Sequence, residues 1–336
     1  MNRELLILFE SNFGEPVTEV LPMAVHASKR SLYRLKSLHH AAIAVEYQNV
    51  PENRAFIGFS RHFRALGLNV PEIYAVSSDA TGYIQQDLGD ITLFDCVKEA
   101  RDRGSRFTPE LERLYGEAVR QLSYFQIEGI RGLNLALCVE GEVYDRGAMR
   151  YDCSRFVEEL IKRMNISFSE EALDKDFHTL IEFLSSADTS FFLYRDFQSR
   201  NIMVRGETLW FIDFQSGRRG ALHYDLASLL YQSQVGVPDD VKDRLIDLYL
   251  NQVQLRMPLD RAQFLEHFDG FVLIRLLQVL GAYGKLGLGE QKEYFLKGIP
   301  FAVATVLGLF ARARLPMRLP ELTGVFSRLA GQMEAV

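Results

Sequence analysis

The order of apolar patterns along the chain predicts an α+β fold in two lobes, a small antiparallel-sheet lobe followed by a larger, mainly helical one. Three observations support this. A length of 336 residues exceeds the usual span of a single compact core. Short strand-like runs collect before residue 87, and apolar residues at helical spacing dominate afterwards. Between them lies Asp87-Leu88-Gly89-Asp90, a run of turn formers. Residues 1–90 are therefore assigned to the first lobe and 91–336 to the second.

In the first lobe the opening segment through Phe13 reads as a helix. Residues 31–35 and 41–47 read as neighbouring strands, with Leu38-His39-His40 near their turn. Residues 52–66 place Phe56, Phe59, Phe63 and Leu66 at helical spacing, and 70–74 and 82–86 return to extended chain. In the second lobe Thr108-Pro109 pairs an N-cap with a residue suited to the first helical position. Leu111, Leu114, Tyr115, Ala118, Leu122 and Phe125 then form one apolar face, which Gly129 closes. Further helices are expected over 156–164, 173–184, 264–286 and 298–311, with Asp225 capping another that runs through Leu230.

Composition narrows the function by exclusion. A net charge of −6 disfavours nucleic acid as a partner, because phosphate contacts need a positive surface. Three cysteines form no C-x-x-C pair and suit a reducing compartment, and seven histidines contain no H-E-x-x-H spacing for zinc. The N-terminus lacks the pattern of a signal peptide. Arg275, Lys285 and Lys297 interrupt the apolar C-terminal stretches, so no membrane span is expected and the protein is assigned to the cytoplasm. Arg312, Arg314 and Arg318 read as a solvated helix end.

Residues 191–214, FFLYRDFQSRNIMVRGETLWFIDF, hold the densest chemistry. An apolar strand leads into a polar loop with Asp196, and Asn201 follows five residues later. Two short apolar runs flank Gly206 and read as a β-hairpin. Pairing centred on residue 207 sets Asn201 opposite Asp213, where Cβ atoms lie about 4.5–5.5 Å apart. An amide oxygen and a carboxylate at that separation can share one Mg²⁺, with Asp196 beside it as a proton acceptor. Phosphoryl transfer from ATP needs this arrangement.

The same residues resemble the protein-kinase-like superfamily: Arg195-Asp196, four residues, Asn201, then Asp213-Phe214. Tyr194 stands where that superfamily usually carries His, and Gln215 where protein kinases carry the Gly of D-F-G. The D-F-Q form and the Tyr224-Asp225-Leu226-Ala227-Ser228-Leu229-Leu230 run are similar to the aminoglycoside-phosphotransferase and choline-kinase branch. Ala27-Ser28-Lys29-Arg30, Arg34, the Val70-Pro71-Glu72-Ile73 entry and the 275–283 helix are similar to its bacterial anomeric kinases of amino sugars, the N-acetylmuramate/N-acetylglucosamine type. The resemblance implies a two-lobed protein-kinase-like fold, with the nucleotide in the N-terminal lobe.

It also implies ATP and Mg²⁺ as cofactors, Asp196 as catalytic base, and Asn201 and Asp213 as metal ligands. Gln86, Asp87 and Leu88 then form the hinge that meets the adenine, with Arg195 and Asp225 as supporting residues. No G-x-x-x-x-G-K-[ST] loop is present, so a P-loop kinase is excluded. The strand at 41–47 reads Ala44-Val45-Glu46 where kinases carry Lys, so Arg30 or Arg34 is expected to replace it. Glu52 is the nearest acidic partner, at the very start of its helix. Asp152, Tyr231 and Arg275 are candidates for the acceptor pocket, although Asp152 also reads as an exposed helix N-cap. A charge inside an apolar helix needs a partner, substrate or structural, which singles out Arg275.

The expected acceptor is a small hydroxylated molecule, foremost an amino sugar at its anomeric hydroxyl, as in cell-wall recycling. Its product then suits a sugar-1-phosphate nucleotidyltransferase. An aminoglycoside, a choline-like alcohol or a ketosamine is the alternative acceptor. A nucleotide-binding pseudokinase that serves as an interaction module is the alternative class, which the missing Lys favours and the intact Asp196, Asn201 and Asp213 oppose.

Overall fold

The computed structural model describes residues 1–23, 29–312 and 315–334. Ala27, Ser28 and Arg314 therefore lie outside the described residues. Contacts divide the chain into two compact units, 1–142 with 194–218, and 143–193 with 219–336. The architecture is α+β as expected, but this division runs elsewhere than the expected boundary at residue 90. The chain leaves the first unit after residue 142 and returns to it for residues 194–218.

The first unit opens with α1 (Arg3–Phe13), which Asn2 caps and Gly14 ends at φ +70°. An antiparallel sheet follows, built from β1 (Glu19–Met23), β2 (Ser31–Lys36), β3 (Ala41–Glu46), β4 (Ile73–Val76) and β5 (Gly82–Gln86). Its strand order is β1-β2-β3-β5-β4, so β3 lies at the centre. Alternation along β3 sends Ala42 and Ala44 to the face that packs on Leu5 and Phe9 of α1. Gly82 lets Leu5 pack closely here, since a Cβ would stand 2.8 Å from a Leu5 methyl and push it aside. The edge strand β1 escaped the sequence pattern; it is largely exposed and contains Pro22, which an edge tolerates.

Between β3 and β4 runs α2 (Val50–Ala65), which buries Phe56, Phe59 and Phe63. Two more helices complete this unit. The first, α3 (Leu93–Asp102), starts with a Thr92–Asp95 capping box that the sequence analysis overlooked. The second, α4 (Pro109–Ile127), starts at the expected Thr108 cap and buries its expected apolar face. Phe125 of α4 meets Phe63 of α2 edge-on at 5.0 Å and Phe211 of the hairpin at 5.2 Å.

The second unit is helical: α5 (Arg146–Phe156), α6 (Glu170–Leu184), α7 (His223–Leu230), α8 (Asp239–Gln254), α9 (Arg261–Tyr283), α10 (Glu293–Arg312) and α11 (Pro320–Glu334). The helix expected over 156–164 begins earlier, because Asp145 caps it by accepting from the Ala148 N–H at 3.0 Å. It then widens into a π-turn at Val157–Ile161. Against that turn lies Gly284, where a Cβ would come within 2.3 Å of the Glu159 carbonyl.

Two helical stretches, Arg261–Gly289 and Glu293–Arg312, are long and apolar enough to cross a membrane by length and composition alone. This corrects the expectation that internal charges shorten them below a span. In α9, Phe271 through Leu277 are buried in this unit, so the apolar sequence of α9 fills a core.

Candidate active site

The hairpin strands Ile202–Arg205 and Thr208–Phe211 pair with Ile202 opposite Phe211 and Arg205 opposite Thr208. The turn is Gly206-Glu207, with Gly206 at φ +61°. This centre falls half a residue before the expected one, so Asn201 faces Ile212 rather than Asp213. The Ile212 N–H donates to the Asn201 carbonyl at 3.0 Å. A regular strand would send Asp213 to the far face from Asn201. Instead Asp213 turns out of the strand at φ +69°, a left-handed conformation that is uncommon for a residue with a Cβ. That turn brings the pair together after all: Asn201 Nδ2 donates to Asp213 Oδ2 at 3.2 Å.

Asn201 Nδ2 also donates to the Asp196 carbonyl at 2.9 Å, tying the loop to the hairpin. With its nitrogen committed to these two, the amide oxygen is the atom left to ligate a cation. Asp196 is half-buried, and Arg195 before it is buried and sits at φ +79°. Phe214 is buried, stacked on Phe56 at 4.9 Å and edge-on to Phe63 at 5.4 Å. Burying that ring contributes about 1.5–3 kcal/mol and anchors the turn at Asp213 on α2.

Of the two cations expected in place of Lys, Arg30 lies beside Asp213. Its Nη1 donates to Asp213 Oδ1 at 3.3 Å and its Nη2 to Glu52 Oε2 at 3.1 Å. The guanidinium also lies 5.3 Å from the centre of the Tyr47 ring. Burial works to lower the Arg30 pKa, but Tyr83, Asp213 and Glu52 outweigh it and the net direction is up. Glu52, underweighted from sequence, is set in place by Asn49, which donates to Oε1 at 2.7 Å. Gln215 was missed: its Nε2 donates to Asp213 Oδ1 at 2.8 Å.

Arg34, the other candidate, does something different. It grips Asp87 at 2.7 Å and Asp90 at 2.8 Å, pinning the turn-rich run to β2. Of the remaining hinge candidates, Leu88 is buried and the Gln86 N–H donates to the Glu72 carbonyl at 2.8 Å.

The acceptor candidates all belong to the second unit. Asp152 is buried inside α5 and accepts from the Tyr144 hydroxyl at 2.7 Å, which overturns its reading as an exposed N-cap. Tyr144 packs edge-on against Tyr224 at 5.1 Å, and Arg275 lies over the Tyr224 ring at 5.7 Å. Arg275 also donates to Ser228 Oγ at 2.9 Å and bonds Gln278. Asp152 and Arg275 thus contact two tyrosines whose rings pack on one another, Asp152 by a hydrogen bond to Tyr144 and Arg275 by lying over the Tyr224 ring.

Tyr231 stands in another cluster, with Lys242 at 4.6 Å and Arg312 at 5.3 Å from its ring centre. Burial pushes its phenol up to about 12. Both cations bond Asp239, whose hydrogen bonds to Lys242 and Arg312 hold it down at about 2. Arg312 is therefore tied rather than simply solvated. Asp225 is no N-cap either: Leu222 holds that position, and Asp225 is fully buried in the first turn of α7.

With this geometry in place, a family model for phosphotransferase enzymes, the APH family, matches residues 40–261. The chain belongs to that family. It is accordingly an ATP-dependent phosphotransferase that acts on an alcohol group.

An N-acetylmuramate/N-acetylglucosamine kinase of Pseudomonas aeruginosa is 22% identical over 296 residues, 86% of this chain and 83% of that protein. One of Neisseria meningitidis is 25% identical over 240 residues, 69% and 68% of the two chains. Among solved structures, a choline kinase of Streptococcus pneumoniae superposes with a TM-score of 0.58 at 14% identity, covering 89% of this chain and 96% of that one. A spectinomycin phosphotransferase, solved with ADP and spectinomycin, gives 0.56 at 13%, covering 91% and 98%. At such identities these two structures speak for the fold alone.

Proposed function

We propose that this phosphotransferase moves the γ-phosphate of ATP to the anomeric hydroxyl of an amino sugar of the N-acetylglucosamine or N-acetylmuramate class, in the cytoplasm. The observation that carries the acceptor class is the set of kinases of that name to which the chain is similar over two thirds or more of its length. The charge of the 270–314 region agrees, being mildly basic and so better suited to neutral or acidic sugars than to cationic acceptors.

In this proposal Asp196 orients the acceptor hydroxyl and takes its proton as the bond to phosphorus forms. Asn201 and Asp213 are the residues that hold Mg²⁺. Their donor set fits: one carboxylate and one amide oxygen are the hard oxygen ligands that Mg²⁺ would take. A Mg²⁺ held by them would supply positive charge to offset the charge of the transferring phosphoryl group. Arg30, braced by Glu52, takes the role of the missing Lys beside the phosphates, and residues 86–88 meet the adenine. Arg195 supports the catalytic loop from within it. Asp152, Arg275 and Tyr231 are the sequence's candidates for polar contacts with the acceptor.

The test is ADP release from Mg-ATP against N-acetylglucosamine, N-acetylmuramic acid, kanamycin, choline and a fructosamine. The proposal expects release that depends on an amino sugar. Release driven by kanamycin or choline alone would replace the acceptor class, and silence across the panel with ATP bound would reject it.

A further inference from the structure

We infer that Arg200 is a specificity-determining residue whose guanidinium receives a carboxylate carried by the acceptor. The inference rests on the proposal that the acceptor is an amino sugar, and within that class it singles out the acidic member, N-acetylmuramic acid.

The loop sets Arg200 next to the proposed base. Asp196 opens it, and Arg200 stands at the centre of the short 3₁₀ turn Ser199–Asn201. Asn201 closes the loop, its N–H donating to the Gln198 carbonyl at 2.8 Å and its Nδ2 to the Asp196 carbonyl at 2.9 Å. The chain thus doubles back on itself between the two residues. Arg200 is the one cation in the sequence from Asp196 to Asn201.

Its side chain is aimed rather than loose. The half-buried Arg200 lays its guanidinium over the ring of Phe94, 4.0 Å from the centre, and Phe94 is itself buried in the first turn of α3. The ring covers one face of the guanidinium and leaves the N–H donors pointing outward in their own plane. That fork matches the two oxygens of a carboxylate. Stacking also fixes the side chain in advance, which lowers the ordering cost of binding. Lys98 reaches the same ring from α3 at 5.6 Å, but it is exposed and its charge is met by Asp95 at 2.6 Å. The charge of the nucleotide has Arg30 beside Asp213, whereas Arg200 packs on α3 at the loop that carries the base. The anion that suits Arg200 is therefore one that the acceptor brings. N-acetylmuramic acid is N-acetylglucosamine with a lactyl ether, and the lactyl carboxylate is such a group.

These two sugars form the test, because that group is their difference. Arg200→Gln keeps a polar side chain and removes the charge. For N-acetylmuramic acid, kcat/KM should fall at least about tenfold, the scale of a hydrogen bond to a charged group. For N-acetylglucosamine it should stay within about twofold, as should the KM for ATP. Arg200→Lys keeps the charge without the fork, so its loss should be one-sided and smaller. If Arg200→Gln does not fold, Arg200→Lys alone must show that one-sided loss. An equal loss for both sugars would make Arg200 a brace between the loop and α3, and a raised KM for ATP would assign it to phosphate; either overturns the inference. An unchanged ratio between the sugars in a folded variant overturns it too, while the amino-sugar reading stands. A parent that uses N-acetylglucosamine alone has the same consequence. A parent that uses neither sugar removes the reading beneath the inference, and the inference with it.

Discussion

The two sides of the candidate site come together by opposite routes. Asp196, Asn201 and Asp213 come from one loop and one hairpin, so local pairing gathers them. Arg30 reaches Asp213 across 183 residues of sequence, and Glu52 across 22. The first side is a property of a short segment and the second of the packed unit. The candidate carboxylates can thus be placed together from spacing, whereas for the cation that faces Asp213 the sequence narrows the choice only to Arg30 or Arg34.

The first way to break this contrast is Asp196→Asn. Removing the proposed proton acceptor should lower turnover by at least about a hundredfold, the usual scale for general-base catalysis. ATP binding should persist, because the Asp196 group that Asn201 holds is the backbone carbonyl, which the variant keeps. Turnover near the parent level would remove Asp196 from the chemistry and reopen the local side.

Stability offers a second contrast, since the core of the helical unit holds a buried base. His223 lies between Phe264 at 4.0 Å and Phe271 at 4.8 Å, and burial, helped by His267, pushes its pKa down to about 3 from 6.5. Its unfolded state binds more protons between those values, so stability rises with pH across that window and is lost on acidification. The slope should approach about 1.4 kcal/mol per pH unit. His223→Phe should flatten the pH dependence of the unfolding midpoint, and an unchanged slope would assign the acid loss to other groups.

Arg30→Ala tests the long-range side. It leaves Asp213 and Glu52 facing each other without their cation and should raise the KM for ATP about tenfold. The smallest effect belongs to Arg34→Ala. Its Asp90 partner is 70% exposed and contributes about 0–1 kcal/mol. The loss therefore comes mainly from the half-buried Asp87 pair, which holds the turn and does not contact Asp213 through Arg34. A larger loss for Arg34 than for Arg30 would exchange their roles.

Much of the fold was legible because the patterns were local. Thr108-Pro109, the α4 face and the paired strands β2 and β3 follow from capping, spacing and alternation. The errors share a cause, which is that burial by distant residues cannot be seen in a local window. Asp152 and Asp225 have the side chain of an N-cap, yet tertiary packing buries both. The hairpin shows the same limit at smaller scale. A pairing centre off by half a residue would misplace Asp213, and only its left-handed turn restores the contact with Asn201. A signal was available for α3, since Thr92 and Asp95 stand at capping-box spacing. Nothing in the sequence marked Gln215 as a partner of Asp213.

One measurement tests the central claim most directly: ADP release from Mg-ATP with N-acetylglucosamine or N-acetylmuramic acid, comparing the parent with Asp196→Asn at matched ATP occupancy. The predicted result is sugar-dependent release by the parent and a loss of at least about a hundredfold in the variant. Equal release by both proteins, or none from the parent with ATP bound, would contradict it.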